Sequence, residues 1–505
     1  MAWFALSIWP LVCIYLYKKM TLAGALSTSI IGGYLLLPSV TSLDLPLIPP
    51  LNKTTIPVFS AFILTMFALS KKENSELRVL KGWLPRSPIV LSLFIVAVVG
   101  AIGTAVTNQD PIVIGTLFIP GLRSYDSFSI LLNLIVLIMP LLLGRRILAS
   151  ADAQKTFLTV LVVSATIYCF PALFEVRMSP QLHTKVYGFF PSSFVQAMRQ
   201  GGFRPNVFLD HGLSLAMFFA MSFLAALSLY RMSDGKVKQR FLYATILIYV
   251  TLVLCKSLGA LIIASILAPF ILFAALRIQL IVGLCAAVMV ITYPMLRLSN
   301  LVPVYDIIDF AGSISLERAE SLEFRVNNEE ALLDRARERP VFGWGGWNRN
   351  RVYDEEGNTT SVTDGAWIIA FGEGGWLRYF AVFGLMCWSI TAVFLRRVKR
   401  LNPVTGFLVL ILAAKLVDLL PNAGLQPMHL LIAGALIGRL ELKSRPVPEE
   451  GVAPDANQSA ESGASRDAEA RVRYSRSLSR KGVHKRTTAK ARRSDQRIAK
   501  SRYNK

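Results

Sequence analysis

Long apolar runs separated by short polar connections fill the chain from its first residues to about residue 440. A helix needs ~17–25 apolar residues to cross hydrocarbon, where its backbone groups find no partner but each other. Run length predicts thirteen spans, near 2–17, 21–40, 55–70, 88–106, 127–144, 156–174, 208–230, 241–255, 258–276, 279–296, 368–395, 403–420 and 424–439. The expected fold class is an all-α polytopic membrane protein of about 13 transmembrane helices.

The charges between the runs sort into two alternating sets. One set is basic: Lys18 and Lys19; Lys71, Lys72, Arg78, Lys81 and Arg86; Arg145, Arg146 and Lys155; Arg231, Lys236, Lys238 and Arg240; Arg277; Arg396, Arg397, Lys399 and Arg400. The other set is longer, more acidic and poorer in base: 41–54, 107–126, 175–207 and 297–367. Cytoplasmic loops are rich in Lys and Arg. The alternation therefore predicts an extracytoplasmic N-terminus and a cytoplasmic C-terminus for a multi-pass membrane protein. An even number of spans would break it.

The segment 297–367 is the one sizeable polar piece, a large extracytoplasmic loop within a transmembrane domain of residues 1–440. Its stretch SLERAESLEFRVNNEEALLDRARERP reads as a helix. Leu316, Ala319, Leu322, Leu332, Leu333 and Ala336 recur at helical spacing, and Pro340 ends it. Such a helix either lies along the membrane surface or packs on neighbouring loops. The glycine- and asparagine-rich VFGWGGWNRNRVYDEEGNTTSVTDG that follows reads as an irregular loop.

Composition agrees with the pattern. Mean hydropathy is +0.50 and the charged fraction is 17 %, below the ~25 % of soluble domains. The five cysteines all lie in apolar runs with no metal-ligand spacing, so neither a disulfide framework nor a metal is expected. The first run lacks the basic start and small-residue cleavage site of a signal peptide and reads as a retained span. Residues 441–505 are different in kind: a linker of Pro, Ala, Ser, Gly and Glu, then 14 Lys and Arg against Asp495 alone across 471–505. This predicts a disordered basic cytoplasmic tail. Its expected partners are anionic lipid headgroups or an acidic partner protein; nucleic acid is not expected.

No P-loop, zincin motif or dinucleotide fingerprint occurs, and no cofactor is expected. What remains is a set of charges in the predicted extracytoplasmic connections. Arg204, Asp210 and His211 lie at the mouth of the seventh span; Lys256 lies in the tight turn CKSLGA; Arg325 is on the loop helix; Arg349, Arg351 and Asp364 flank the glycine-rich loop; Lys415 and Asp418 sit near the outer end of the twelfth span. Lys415 and Asp418 are three residues apart and can pair on one helix face. Several cations converging on one cavity suit a diphosphate, because a guanidinium grips phosphate with a planar fork. Arg204 and Arg325, with Lys256, are the candidates to hold it; Asp364 and His211 are the candidates to take a proton from an attacking hydroxyl. Arg349, Arg351, Lys415 and Asp418 are possible accessory residues.

The run Arg325, Ala331–Leu332–Leu333 and Arg339–Pro340–Val341–Phe342–Gly343–Trp344–Gly345, followed by TDGAW and Glu373–Gly374–Gly375, resembles the signature of the bacterial O-antigen ligase and polymerase family. KSLGA and FRPNVFLDHG resemble two earlier motifs of that family, and the resemblance covers 200–395. It implies a GT-C-like glycosyltransferase that needs no metal and inverts the sugar. Its donor would be an oligosaccharide on undecaprenyl diphosphate, and its acceptor a glycan or lipid-linked glycan. The outer side would then be the periplasm at a bacterial inner membrane, and other polysaccharide-assembly proteins would be further partners. Two positions depart from the pattern. Asp364 stands where ligases carry a histidine, and Lys256 and Leu258 flank the serine that an arginine follows in many members. A carboxylate still serves as a base, so these departures favour a polymerase of O-antigen, capsule or exopolysaccharide over a ligase. The charges would also suit a transporter or flippase for the same lipid-linked unit, and the tail would suit a non-catalytic assembly protein.

Overall fold

The computed structural model describes residues 1–45, 49–70, 79–199, 201–314, 316–396 and 401–442. The predicted basic tail lies outside the described residues, as do the connection 71–78 and the basic residues 397–400.

The described chain is mostly helical. The first half holds α1 (Ala2–Lys19), α2 (Leu22–Leu36), α3 (Thr55–Ser70), α4 (Pro88–Thr107), α5 (Ser124–Ile147), α6 (Ala151–Met178) and the short α7 (Leu182–Tyr187). There follow α8 (Gly212–Arg231), α9 (Gly235–Leu254), α10 (Leu258–Leu272), α11 (Leu276–Leu298), α12 (Val304–Ile314) and α13 (Leu316–Arg337). The last three are α14 (Ala366–Phe394), α15 (Pro403–Asp418) and α16 (Pro427–Glu441). A helix stands at each of the thirteen predicted runs. Among the described residues, seven are long and apolar enough to cross a membrane: α4, α5, α6, α8, α9, α11 and α14. Helices α2, α3 and α10 are apolar but shorter. The chain is a polytopic membrane protein.

Several helices outrun their apolar runs. Helix α6 starts at Ala151 and takes in Asp152 and Lys155, because long polar side chains at a helix end can reach water while their stems stay apolar. The chain is not purely helical. Three two-stranded hairpins sit in the connections: β1 (Ser42–Leu43) with β2 (Leu51–Asn52), β3 (Ile112–Ile114) with β4 (Leu117–Ile119), and β5 (Met198–Arg199) with β6 (Gly202–Phe203).

The core lies around α8 and α15. Helix α8 is apolar on every side, and nearly all its residues are buried, as expected of a helix with no polar face. Helix α15 is likewise buried over most of its length. Contacts join connections of the same set. Lys53 Nζ donates to Phe208 O at 3.2 Å, Lys256 Nζ to Arg199 O at 2.8 Å and Arg349 Nη1 to Pro120 O at 2.8 Å, all within the set poor in base. In the basic set, Arg145 Nη1 donates to Gly82 O at 2.9 Å and Trp83 O at 3.0 Å, and Arg231 Nη1 to Ala274 O at 2.9 Å.

The loop helix α13 packs rather than floats. Leu332, Leu333 and Ala336 join the main core, while Ala319 and Val326 meet Val304 and Ile308 of α12. Arg297 holds it down, with Nε 2.9 Å from Glu329 Oε1 and Nη2 2.7 Å from Glu330 Oε2.

Candidate functional site

Arg204 is placed by a carboxylate that sequence reasoning passed over. Glu175, fully buried near the end of α6, accepts from the backbone N–H groups of Leu182 at 2.8 Å, Asn206 at 2.9 Å and Val207 at 2.7 Å. Two of these bonds, from Asn206 and Val207, hold the RPNV turn against the bundle, and the third ties down the start of α7. Arg204 itself is 8 % exposed. Its Nη2 donates to Lys256 O at 3.1 Å, and its Nε is buried without a protein acceptor. Burial first, then repulsion from Arg199 and Arg325, pushes its pKa down to about 10. Arg204 does not line the pocket that holds Arg325. Lys256, at φ +51, gives its carbonyl to Arg204 and its ammonium to Arg199 O. It closes the turn that seats Arg204.

His211 caps α8. Its Nδ1 accepts from Leu213 N–H at 3.1 Å, and its Nε2 lies 3.1 Å from Gln196 Oε1. With Nδ1 accepting, the proton belongs on Nε2, which donates to Gln196. Burial and the charge of Arg204 push its pKa down to about 4. The imidazole is neutral at physiological pH and both nitrogens are occupied. Beside it, Asp210 has a buried Oδ1 without a protein donor, and its charge opposes the burial that pushes Lys53 down to about 8.

Arg325 and Asp364 meet at the opening of α14. Arg325 Nε lies 3.9 Å from Asp364 Oδ2, an ion pair beyond hydrogen-bonding distance. Its Nη1 donates to Asn422 Oδ1 at 3.2 Å and to Pro421 O at 3.5 Å. Burial raises the Asp364 carboxyl above its ordinary value, and Arg325 pulls it part of the way back. From Asn422 a polar chain runs inward. Asn422 Nδ2 donates to Asp418 Oδ1 at 2.8 Å, and Asp418 Oδ2 pairs with Lys415 Nζ at 2.8 Å. Lys415 and Asp418 are both buried, in the last turns of α15. The charge of Lys415 reaches His429 of α16, whose Nδ1 accepts from Gln426 N–H at 3.0 Å and whose Nε2 is buried without a protein partner. His429 went unnoticed in the sequence; the one signal for it is a histidine two residues after Pro427 in an apolar run.

The glycine-rich loop is a wedge against α14. Trp344 N–H donates to Gly372 O and Gly345 N–H to Glu373 O, each at 2.8 Å. Gly343 and Gly375 both have positive φ, and a Cβ on Gly343 would lie 2.4 Å from Gly374 N. Only glycine allows backbone to meet backbone this closely. Arg335 and Arg339 stack on Trp344 at 3.3 and 4.2 Å from its ring centroid. Arg349 is buried and spends its donors on three carbonyls: Trp344 O at 3.1 Å, Pro120 O at 2.8 Å and Asp110 O at 2.8 Å. It clamps the loop to the connection 108–123. Arg351 is half-buried beyond it, and no contact joins it to Arg204 or Arg325 in the way Asn422 is joined.

Two cavities flank this wedge. A pocket of about 210 Å³ is lined by Arg325 and Asp364 together with Tyr293 and Glu329. A second, of about 610 Å³, lies between α4, α5 and α14. The smaller pocket has room for reacting groups but falls below the ~300–1,000 Å³ of a whole ligand site. No family model matches the chain, and neither does any curated protein or solved structure.

Proposed function

We propose that the chain is a membrane glycosyltransferase of GT-C-like, thirteen-span architecture. It polymerises, or ligates, oligosaccharide units carried on undecaprenyl diphosphate at the periplasmic face of a bacterial inner membrane. The observation that carries the reading is the pairing of Arg325 with Asp364 in one pocket. This puts a cationic grip and a carboxylate of raised basicity at one place. The motifs shared with the O-antigen ligase and polymerase family point to the same residues.

In this scheme the guanidiniums of Arg325 and Arg204 bind the diphosphate. The buried Nε of Arg204, which lacks a protein acceptor, is a donor for it. Asp364 takes the proton from an acceptor hydroxyl as that oxygen attacks the anomeric carbon. The bond from that carbon to the diphosphate oxygen breaks, and the leaving diphosphate keeps the electron pair, stabilised by the two arginines. One displacement inverts the sugar. Asp364 suits the base role better than His211, since the 3.9 Å ion pair leaves its lone pairs open to a hydroxyl. Both His211 nitrogens are taken. Lys256 holds Arg204 in place rather than contacting the anion.

Arg325→Ala should abolish long polymer while the protein stays in the membrane at normal abundance. Normal chain length in that variant would end the proposal. In a deletion strain, single units that reach the cell surface indicate a polymerase, and polymer left on its carrier indicates a ligase. Units stranded on the cytoplasmic face would instead indicate a flippase.

A further inference from the structure

The larger cavity shares no lining residue with the Arg325–Asp364 pocket. At about 610 Å³ it has the volume of a complete ligand site. Its lining is mostly apolar, with Ala97 of α4, Leu134 and Leu137 of α5 and Val382 of α14 beside the polar Ser129 and Asn133. Its mouth is polar. Gly345 N–H donates to Glu373 O at 2.8 Å, and Thr104 Oγ1 donates to Phe342 O at 2.6 Å, so Glu373 stands level with the last turn of α4. There Glu373 pairs with Arg378 at 2.7 Å, and Asp44 and Trp347 complete the rim. The cleft follows α14 from Glu373 past its non-helical kink at Gly375 to Val382.

The rim chemistry selects the head group. Asp44 and Glu373 outnumber Arg378, so a diphosphate is disfavoured here, in contrast to the arginine cluster. Trp347 is 53 % exposed although it lines a cavity. It is held at φ +55, with Asn348 next to it at φ +66. Backbone strain of this kind persists where the surroundings impose it, often at ligand sites. An open indole face meets the C–H face of a sugar ring, while a carboxylate–guanidinium pair both accepts from and donates to its hydroxyls.

We propose that this cleft binds a lipid with an uncharged sugar head group. The tail lies between α4, α5 and α14, and the sugar lies on Trp347 with its hydroxyls shared by Glu373 and Arg378. Calling the bound molecule the acceptor rests on the ligase form of the functional reading above, since a polymerase's acceptor carries a diphosphate; the binding itself does not.

The test uses the full chain in nanodiscs of phosphatidylethanolamine and phosphatidylglycerol. The probe is a diglucosyl diacylglycerol with a photoactivatable diazirine in one acyl chain. Saturable labelling of α4, α5 or α14 is expected, displaced by unlabelled glycolipid and not by phosphatidylglycerol. Trp347→Ala should lower it by about five- to tenfold, and Leu134→Trp, which fills the cleft, should remove it. Arg325→Ala should leave the labelling intact while losing polymer, so the two proposals fail separately. Unsaturable labelling, equal displacement by phosphatidylglycerol, or labelling unchanged in both Trp347→Ala and Leu134→Trp would overturn the assignment.

Discussion

Asn422 joins Arg325 to the interior of the bundle: its Oδ1 accepts from Arg325 Nη1 at 3.2 Å, while its Nδ2 donates to Asp418 Oδ1 at 2.8 Å. The guanidinium proposed to hold the diphosphate is thus oriented by a buried ion pair two side chains away. Losing one bond to a charged group costs about 1.5–3 kcal/mol. Asn422→Ala should therefore cut turnover by roughly ten- to a hundredfold at that cost, with membrane abundance unchanged. Turnover of a synthetic lipid-diphosphate donor in proteoliposomes measures it. Wild-type turnover would show that Arg325 needs no such support.

The Lys415–Asp418 pair should behave as a unit. Removing one partner leaves an uncompensated buried charge, a loss of about 3–5 kcal/mol. Lys415→Met should lower the thermal midpoint in detergent sharply, and adding Asp418→Leu should restore much of it. If the two losses simply add, the pair is not coupled.

The acid limb of activity should belong to Asp364. Its carboxyl is raised by burial, and the active form is the carboxylate. Activity should therefore rise with pH through a value above that of an ordinary aspartate. Burial pushes His211 down to about 4, so substitution separates its titration from that of Asp364. His211→Gln should leave the limb in place, whereas Asp364→Asn should remove activity. A limb that moves with His211→Gln would reverse the assignment of the base.

Gly343→Ala should destabilise the loop wedge. The added Cβ would sit 2.4 Å from Gly374 N, at a φ of +67 that L residues rarely adopt. The left-handed backbone alone costs about 1–2 kcal/mol. Size-exclusion profiles and melting in detergent should show less folded protein. Gly346→Ala, whose Cβ would meet open space, is the control.

Much of the site was legible as a list of residues and little of it as an arrangement. Lys415 and Asp418 stood out because charges inside apolar runs are costly and therefore conspicuous, and Arg325 and Asp364 because they lie in the motifs around the glycine-rich loop. Their connection through Asn422 was invisible, since a loop asparagine carries no such signal. Glu175 was hidden because its bonds go to backbone N–H groups far along the chain. Arg349 looked like Arg204 in sequence, yet it is a structural clamp. Only the carbonyls around it distinguish the two.

By itself the sequence determined the helices at the thirteen apolar runs, but not α7 or α12. Hydrocarbon leaves an apolar run of that length no other way to satisfy its backbone, so run length and charge alternation suffice. Which charges meet was decided by the tertiary structure alone. Contacts between connections hundreds of residues apart depend on how the helices pack. That packing is set by small residues and close backbone approaches, such as Gly343 on α14, which no periodicity encodes.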